Sequence, residues 1–293
     1  MDDPEVFART ITGVYGPEGA EWLERLPDLI ERARAAWGLE RDGRFPLRYR
    51  YVEPVRMRDG RHAVLKLGPA FHPADFRLEL RALEWFSGHG GVRVIAVDPE
   101  LGAALMERVV PGTELRELVA ADDEGATAVA ADVMRSLWRP APPDSPFPSV
   151  REWGEESLRG REAAIFAELC DSAGEAVVLH GDLHHENILR SGGGWVAIDP
   201  VGVVGEREYE VGALMHNPWP GLLDLPHPGR VLARRLDILT ERLELDGSRI
   251  RAWAWATAVL SAAWSVEAGE DPAQPLACAE LLEPLMARST PSR

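Results

Sequence analysis

Lysine is almost missing from this chain. Among 32 basic residues in a total of 293, Lys66 is the only lysine. A bias toward arginine accounts for the arginines but leaves that one lysine unexplained. Arginine is a poor substitute where a compact ammonium must sit against a phosphate, because its planar fork is bulkier and its charge is spread. Lys66 is therefore a candidate functional residue. Cysteine is also scarce: Cys170 and Cys278 lie far apart and form no Cys-x-x-Cys pair, which argues against a zinc site or a disulfide framework. Long apolar runs are missing too. The longest, AWAWATAVLSAAW at 252–264, is too short to span a bilayer and is expected to form a buried helix. The opening MDDPEVFART is acidic and lacks the basic and apolar regions of a secretory signal, so a cytoplasmic protein without a membrane partner is expected.

Charge narrows the partners further. The chain has 48 acids against 32 bases, a net charge of −16, which repels phosphate backbones and makes nucleic acid an unsuitable partner. The same charge can draw in cationic small molecules, although acids of this number also serve simply to keep a surface solvated. A length of 293 residues suits two ordinary domains or one two-lobed enzyme.

The pattern changes character along the chain. Helical spacing over 21–39 is followed by strand-like LRYRYVEPVRM (47–57), an Asp59–Gly60 turn and the return strand RHAVLKLG (61–68), which places Lys66 near the end of a hairpin. Pro73 and the spacing of Phe76, Leu80, Leu83 and Phe86 predict a helix over about 73–87, followed by short strands VRVIAV (92–97) and GAALMERV (102–109). VVPG at 109–112 reads as a joint between a β-rich N-terminal part, 1–109, and a mainly helical part, 110–293. Helices are expected over 114–138, about 150–170, 208–217, 230–244, 249–267 and 275–288, with RPAPPDSPFP (139–148) as a proline-rich connector. Among them lie a short strand AVVL (176–179) and a hairpin, NILR (187–190) and WVAID (195–199), that projects Asp199 beyond its end.

Between strand and hairpin sits HGDLHHENIL (180–189). A metal cage is one reading, since His180, Asp182, His184 and His185 are ligand types. The order is His-x-Asp-x-His-His, however, and the sequence places neither His216 nor His227 beside it. Polar filling of a loop after a buried strand is a second reading. Phosphoryl transfer is the third: it needs a carboxylate to accept the attacking hydroxyl's proton, plus an amide oxygen and a second carboxylate to hold Mg²⁺. Asp182 and Asn187 have a five-residue offset that lets one loop supply base and metal ligand, and Asp199 can supply the second ligand. Glu79 supports this reading. It lies on the inward face of the helix after Lys66, where an unpaired carboxylate costs roughly 3–5 kcal/mol, so Lys66 is its natural partner.

HGDLHHENIL resembles the His-Arg-Asp-Leu-x-x-x-Asn catalytic loop of protein kinases, and AIDP (197–200) stands where they carry Asp-Phe-Gly. Gly181 replaces the arginine and no Ala-Pro-Glu segment follows. With YVEPVRMRDGRHAVLKLG, ELGAALMERVVPG, AIDPVGVVGEREYEVGALMHNP and SAAWSVEAG, the chain resembles the aminoglycoside phosphotransferase family, in its streptomycin 6-kinase and hydroxyurea-resistance branch.

The resemblance implies an α+β, two-lobed protein-kinase-like fold, with a small β-rich N-lobe that binds nucleotide and a larger helical C-lobe. It implies ATP and Mg²⁺ as cofactors, and a small, hydroxylated, cationic acceptor; a sugar or amino-alcohol kinase of the same fold is the alternative. It makes Asp182 the base, Asn187 and Asp199 metal ligands, and Lys66 a phosphate clamp held by Glu79. Glu107 C=O and Val109 N–H are expected to meet adenine with Met106 behind them, and Glu210 to brace the loop. Glu206, Trp264 and Glu267 are expected beside the acceptor, with Glu267 one helical turn from Trp264. The phosphate-covering turn RDGRFPLR (41–48) holds only Gly43, so no glycine-rich cradle is expected.

Overall fold

The computed structural model describes residues 4–69 and 75–286. The chain divides into two compact units, Met1–Val110 and Pro111–Arg293. In the first, α1 (Pro4–Trp37) breaks at Gly16, whose φ is +58°. It is followed by β1 (Leu39–Arg41), β2 (Tyr51–Met57), β3 (His62–Leu67), α2 (Asp75–Phe86), β4 (Val94–Asp98) and β5 (Ala103–Glu107). The strands form one antiparallel sheet in the order β1-β2-β3-β5-β4. Alternation decides its faces. Leu65, Leu67, Ala103 and Leu105 are buried with Ile11, Trp22, Leu26 and Leu29 of α1 in one apolar cluster. The helical stretch before Gly16 was not expected, and the strand expected from residue 47 begins only at Tyr51. Pro73, the expected start of α2, lies outside the described residues.

The second unit contains β6 (Pro111–Glu114), α3 (Arg116–Val119), α4 (Asp123–Leu137), β7 (Arg139–Pro140), α5 (Val150–Gly154), α6 (Gly160–Asp171), β8 (Val177–Leu179), β9 (Ile188–Ser191), β10 (Gly194–Ala197), β11 (Val203–Gly205), α7 (Gly212–Met215), α8 (Pro228–Leu243), α9 (Gly247–Glu267) and α10 (Ala273–Met286). The single helix expected over 114–138 is two, because Asp122 leaves helical geometry and caps α4 through the Gly125 N–H. Likewise 150–170 is interrupted: α5, opened by a Ser149–Glu152 capping box, ends at Gly154, and extended backbone at Leu158 and Arg159 separates it from α6. Helix α9 is apolar around most of its circumference and is correspondingly buried, with Trp253, Trp255 and Leu260 at 3% exposure or less. No described helix is long and apolar enough to cross a membrane.

Two three-stranded sheets, β10-β9-β6 and β11-β8-β7, flank the loop 180–187. The loop leaves the end of β8 and returns into β9. Its shape is therefore set by two strands that are each hydrogen-bonded to other parts of the unit.

Candidate active site

In the first unit, strand β3 and helix α2 bring Lys66 and Glu79 together. Lys66 Nζ lies 2.5 Å from Glu79 Oε1, with the lysine side chain 3% exposed. Sequence reasoning missed a third member. Arg50, just before β2, donates through Nε to Glu79 Oε2 at 3.2 Å and through Nη1 to the Tyr15 hydroxyl at 2.5 Å, and its guanidinium lies over the Phe76 ring. One carboxylate thus joins two cations in a poorly solvated place, where ion pairing is screened little. Met106 is buried in β5, paired with Val64 on β3. Glu107 is exposed, its N–H bonded to Arg93 O at 2.9 Å, and Val109 is half-buried beyond the strand.

In the second unit the loop is held by hydrogen bonds from every side. His180, fully buried, uses both ring nitrogens. Nε2 donates to Ile198 O at 2.8 Å, and Nδ1 accepts the Asp182 N–H at 3.3 Å. Burial lowers its pKa to about 4, so the ring is neutral, and these two bonds identify the tautomer. Glu210, 1% exposed, accepts the N–H groups of His180 at 2.7 Å and Gly181 at 3.0 Å. Burial pushes its pKa up to about 7, against the pull of those two bonds. This is the bracing acid that the family resemblance implied. Gly181 has φ +85°, and a β-carbon there would lie 3.2 Å from Val203 and 3.3 Å from Val201, which explains why no arginine stands before Asp182.

Asp182 is half-exposed, and Asn187 Nδ2 donates to its backbone oxygen at 2.9 Å. That bond occupies the amide nitrogen, so the amide oxygen is the atom available to a metal. The backbone of Ile198 bonds to Asn187 O at 2.9 Å, which sets Asp199 on the segment beside Asn187, with Asp199 at φ +58°. Oxygen donors of this kind, an amide and a carboxylate, suit Mg²⁺ completed by phosphate and water.

The histidines of the loop do not converge. His184 lies between two acids, its Nδ1 2.7 Å from Glu186 and its Nε2 3.6 Å from Asp182. Burial disfavours its charge, but Asp182 and Glu186 outweigh that and raise its pKa to about 10, so His184 is an imidazolium at neutral pH. Asp182 in turn is held below the usual carboxylate range. Desolvation opposes this shift, and the His184 charge prevails. His185 is fully buried with neither ring nitrogen bonded within the described residues. Among the described residues no three His, Cys, Asp or Glu side chains are grouped as a metal cage.

Asp182 opens onto a pocket of 260 Å³ within this unit, lined also by Trp153, Tyr209, His216, Ser261 and Trp264. The Trp153 and Trp264 rings meet edge to face with centroids 6.0 Å apart. Trp264 thus lines the pocket onto which Asp182 opens, and Glu206 and Glu267 do not. Glu206 is 4% exposed and fully engaged by the Arg249 Nε at 2.8 Å, the Gly174 N–H at 3.0 Å and the Trp253 indole N–H. Strand β11, paired with β8, carries it away from the pocket into this packing role. Glu267 is exposed at the end of α9, accepts from the Ser157 hydroxyl at 3.1 Å and does not line the pocket. Trp153, Tyr209 and His216 were not singled out for the pocket. For Trp153 and Tyr209 the sequence offers only an aromatic in a helical run, and for His216 only a ligand-type side chain distant from the loop.

The model of the aminoglycoside/hydroxyurea antibiotic resistance kinase family matches residues 37–269. The chain is 33% identical to the streptomycin 6-kinase of Streptomyces griseus over 286 residues, 91% of each chain. It is also 33% identical to the streptomycin 3''-kinase of Klebsiella pneumoniae, covering 80% of this chain and 91% of that one. In fold it resembles the choline kinase LicA of Streptococcus pneumoniae, with a TM-score of 0.60 at 14% identity, covering 89% of this chain and 99% of the other.

Proposed function

This chain belongs to the aminoglycoside/hydroxyurea antibiotic resistance kinase family, and from that premise we propose that it transfers the γ-phosphoryl group of ATP to a hydroxyl of a streptomycin-type acceptor. The observation that carries the reading is the position of Asp182, which faces the 260 Å³ pocket while its own backbone oxygen is bonded to Asn187. The acceptor oxygen attacks the γ-phosphorus, the bond to the β–γ bridging oxygen breaks, ADP leaves and the hydroxyl proton passes to Asp182. A carboxylate held ionised beside the His184 charge is a weak base. Its main contribution is therefore to orient the hydroxyl and to take the proton late, as a loose phosphoryl transition state requires. Asn187 and Asp199 are the residues to hold Mg²⁺, which when bound offsets charge on the phosphate oxygens. Lys66, positioned by Glu79, is assigned to the nucleotide phosphates, and Met106, Glu107 and Val109 to adenine.

The acceptor assignment follows from the pocket walls. Trp153 and Trp264, set edge to face, offer an apolar corner against which a sugar or cyclitol ring packs. Glu206 is spent on Arg249, and the acid assigned to the acceptor's charge is Glu267, which lies one turn beyond Trp264 and outside the pocket lining. A screen of ATP consumption against aminoglycosides, amino sugars and polyols tests the proposal. Turnover of streptomycin with a KM that rises at high salt and in Glu267→Gln supports it. Efficient turnover of a neutral sugar or polyol, with no cationic acceptor used, replaces it with a metabolic sugar kinase.

A further inference from the structure

His216 follows α7 directly and its backbone is pinned from two helices. Its carbonyl accepts Gln274 Nε2 of α10 at 2.8 Å, and the next carbonyl, Asn217 O, accepts Arg235 Nη1 of α8 at 2.7 Å. Gln274 is 5% exposed and Arg235 fully buried, so this anchorage is screened from water. The Asn217 side chain returns to Ala213 O at 2.9 Å and closes the turn. The imidazole these bonds position lines the same pocket as Asp182. Its Nδ1 is buried and has no hydrogen-bond partner among the described residues. Burial lowers the pKa of the ring to about 4, with Asp182 pulling the other way, so the ring is neutral at physiological pH.

A buried ring nitrogen left unbonded carries a desolvation cost that the protein does not offset. Nδ1 is closed to solvent, so the ring nitrogen that a ligand in the pocket meets is Nε2, which is not among the buried unbonded atoms. The pocket also limits what that ligand group can be. Its charged lining groups are Asp182 and Glu210, and Glu210 is occupied by the His180 and Gly181 N–H groups. A neutral imidazole has one donor and one acceptor nitrogen, which suits a hydroxyl, itself both donor and acceptor.

Resting on the reading of this pocket as the acceptor site, we propose that His216 is a specificity-determining residue. It hydrogen-bonds a hydroxyl of the acceptor other than the one presented to Asp182, while Trp153 and Trp264 cover the ring that carries both. The interior of the pocket then reads the acceptor's hydroxyl pattern at His216.

The test uses the full chain and the variants His216→Leu and His216→Asn. Binding of streptomycin, and of a panel of amino sugars and polyols, is followed by calorimetry, together with KM for acceptor and for ATP and the melting temperature. His216→Leu is expected to weaken binding of the acceptor about tenfold and to raise its KM similarly, with the KM for ATP unchanged. Its ligand-free melting temperature should equal or exceed that of the wild type, because an unbonded buried nitrogen is gone. His216→Asn, which keeps a donor and an acceptor, should recover part of the affinity. If the wild type binds an acceptor and His216→Leu binds it equally well, the inference fails alone. Loss of melting temperature in both variants with equal rises in both KM values also overturns it, in favour of a structural role. If the wild type binds none of the probes, the reading of the pocket fails and the inference with it.

Discussion

Replacing Glu210 by alanine should destabilise the protein by an amount that depends on pH in a defined direction. The carboxyl accepts two backbone N–H groups, from His180 at 2.7 Å and Gly181 at 3.0 Å, and is 1% exposed. Leaving both donors unbonded costs about 1–3 kcal/mol each, so roughly 2–6 kcal/mol together. Against this stands the cost of ionising Glu210 in the interior. Its pKa in the fold is about 7, against 4.5 for the free group. A group raised on folding contributes stability that is fully present below the unfolded value and is lost as pH rises through the folded one. The wild type therefore loses about 2 kcal/mol of this contribution between pH 5.5 and 8.5, whereas the alanine variant loses none. The deficit of Glu210→Ala should accordingly be largest at pH 5.5 and smaller by about 2 kcal/mol at pH 8.5. Urea unfolding of both proteins at the two pH values, followed by tryptophan fluorescence, measures it directly. A deficit that does not change with pH would show that the two N–H bonds keep Glu210 ionised throughout, and the reasoning from burial would be wrong. Because the same bonds fix the loop that carries Asp182, kcat should fall at least tenfold in this variant.

Other consequences are as direct. Asp182→Asn should retain ATP binding and lose roughly 10²–10⁴-fold in kcat, and near-normal single-turnover rates would remove Asp182 from the role of base. Glu79→Gln should raise the KM for ATP and also lower stability, since Arg50 loses its carboxylate along with Lys66. A double-mutant cycle of Glu79 with Arg50 should show coupling of at least about 0.5 kcal/mol, and strict additivity would exclude the shared clamp. At acid pH the fold should weaken through His180. Its depressed pKa means that its contribution is present above 6.5 and is lost as pH falls through about 4, a change of about 3 kcal/mol. His180→Asn should flatten that acid limb in a series of thermal melts, and an unchanged limb would place the sensitivity elsewhere.

What could be read in advance followed from short-range physics. The Asp59–Gly60 turn between two alternating runs is a local hairpin signal, and it set Lys66 on β3 in the observed register. Glu79 among Phe76, Leu80 and Leu83 is a carboxylate on an apolar face, so a cationic partner was required, and Lys66 lies 2.5 Å away. The spacing of Asp182 and Asn187 also appears as a direct contact, Asn187 Nδ2 to Asp182 O, because a tight turn at His185–Asn187 folds the loop back on itself.

The remainder depended on contacts between segments distant in sequence. Glu206 and Glu267 had the same claim on paper: each is an acid near a residue of the site. Strand pairing of β11 with β8 delivered one to Arg249 and Trp253, and the end of α9 left the other at the surface. Arg50 was one arginine among many until β2 paired with β3 beside α2 and brought it to Glu79. His216 gained its place only when α8 and α10 closed on the turn after α7. By itself, the sequence determined which residues could do phosphoryl chemistry, since turn geometry, helical period and the cost of burying charge act within a few residues. Tertiary structure alone decided which acids, aromatics and histidines face the pocket, because a side chain's surroundings are set by the packing of segments between which local pattern carries no distance.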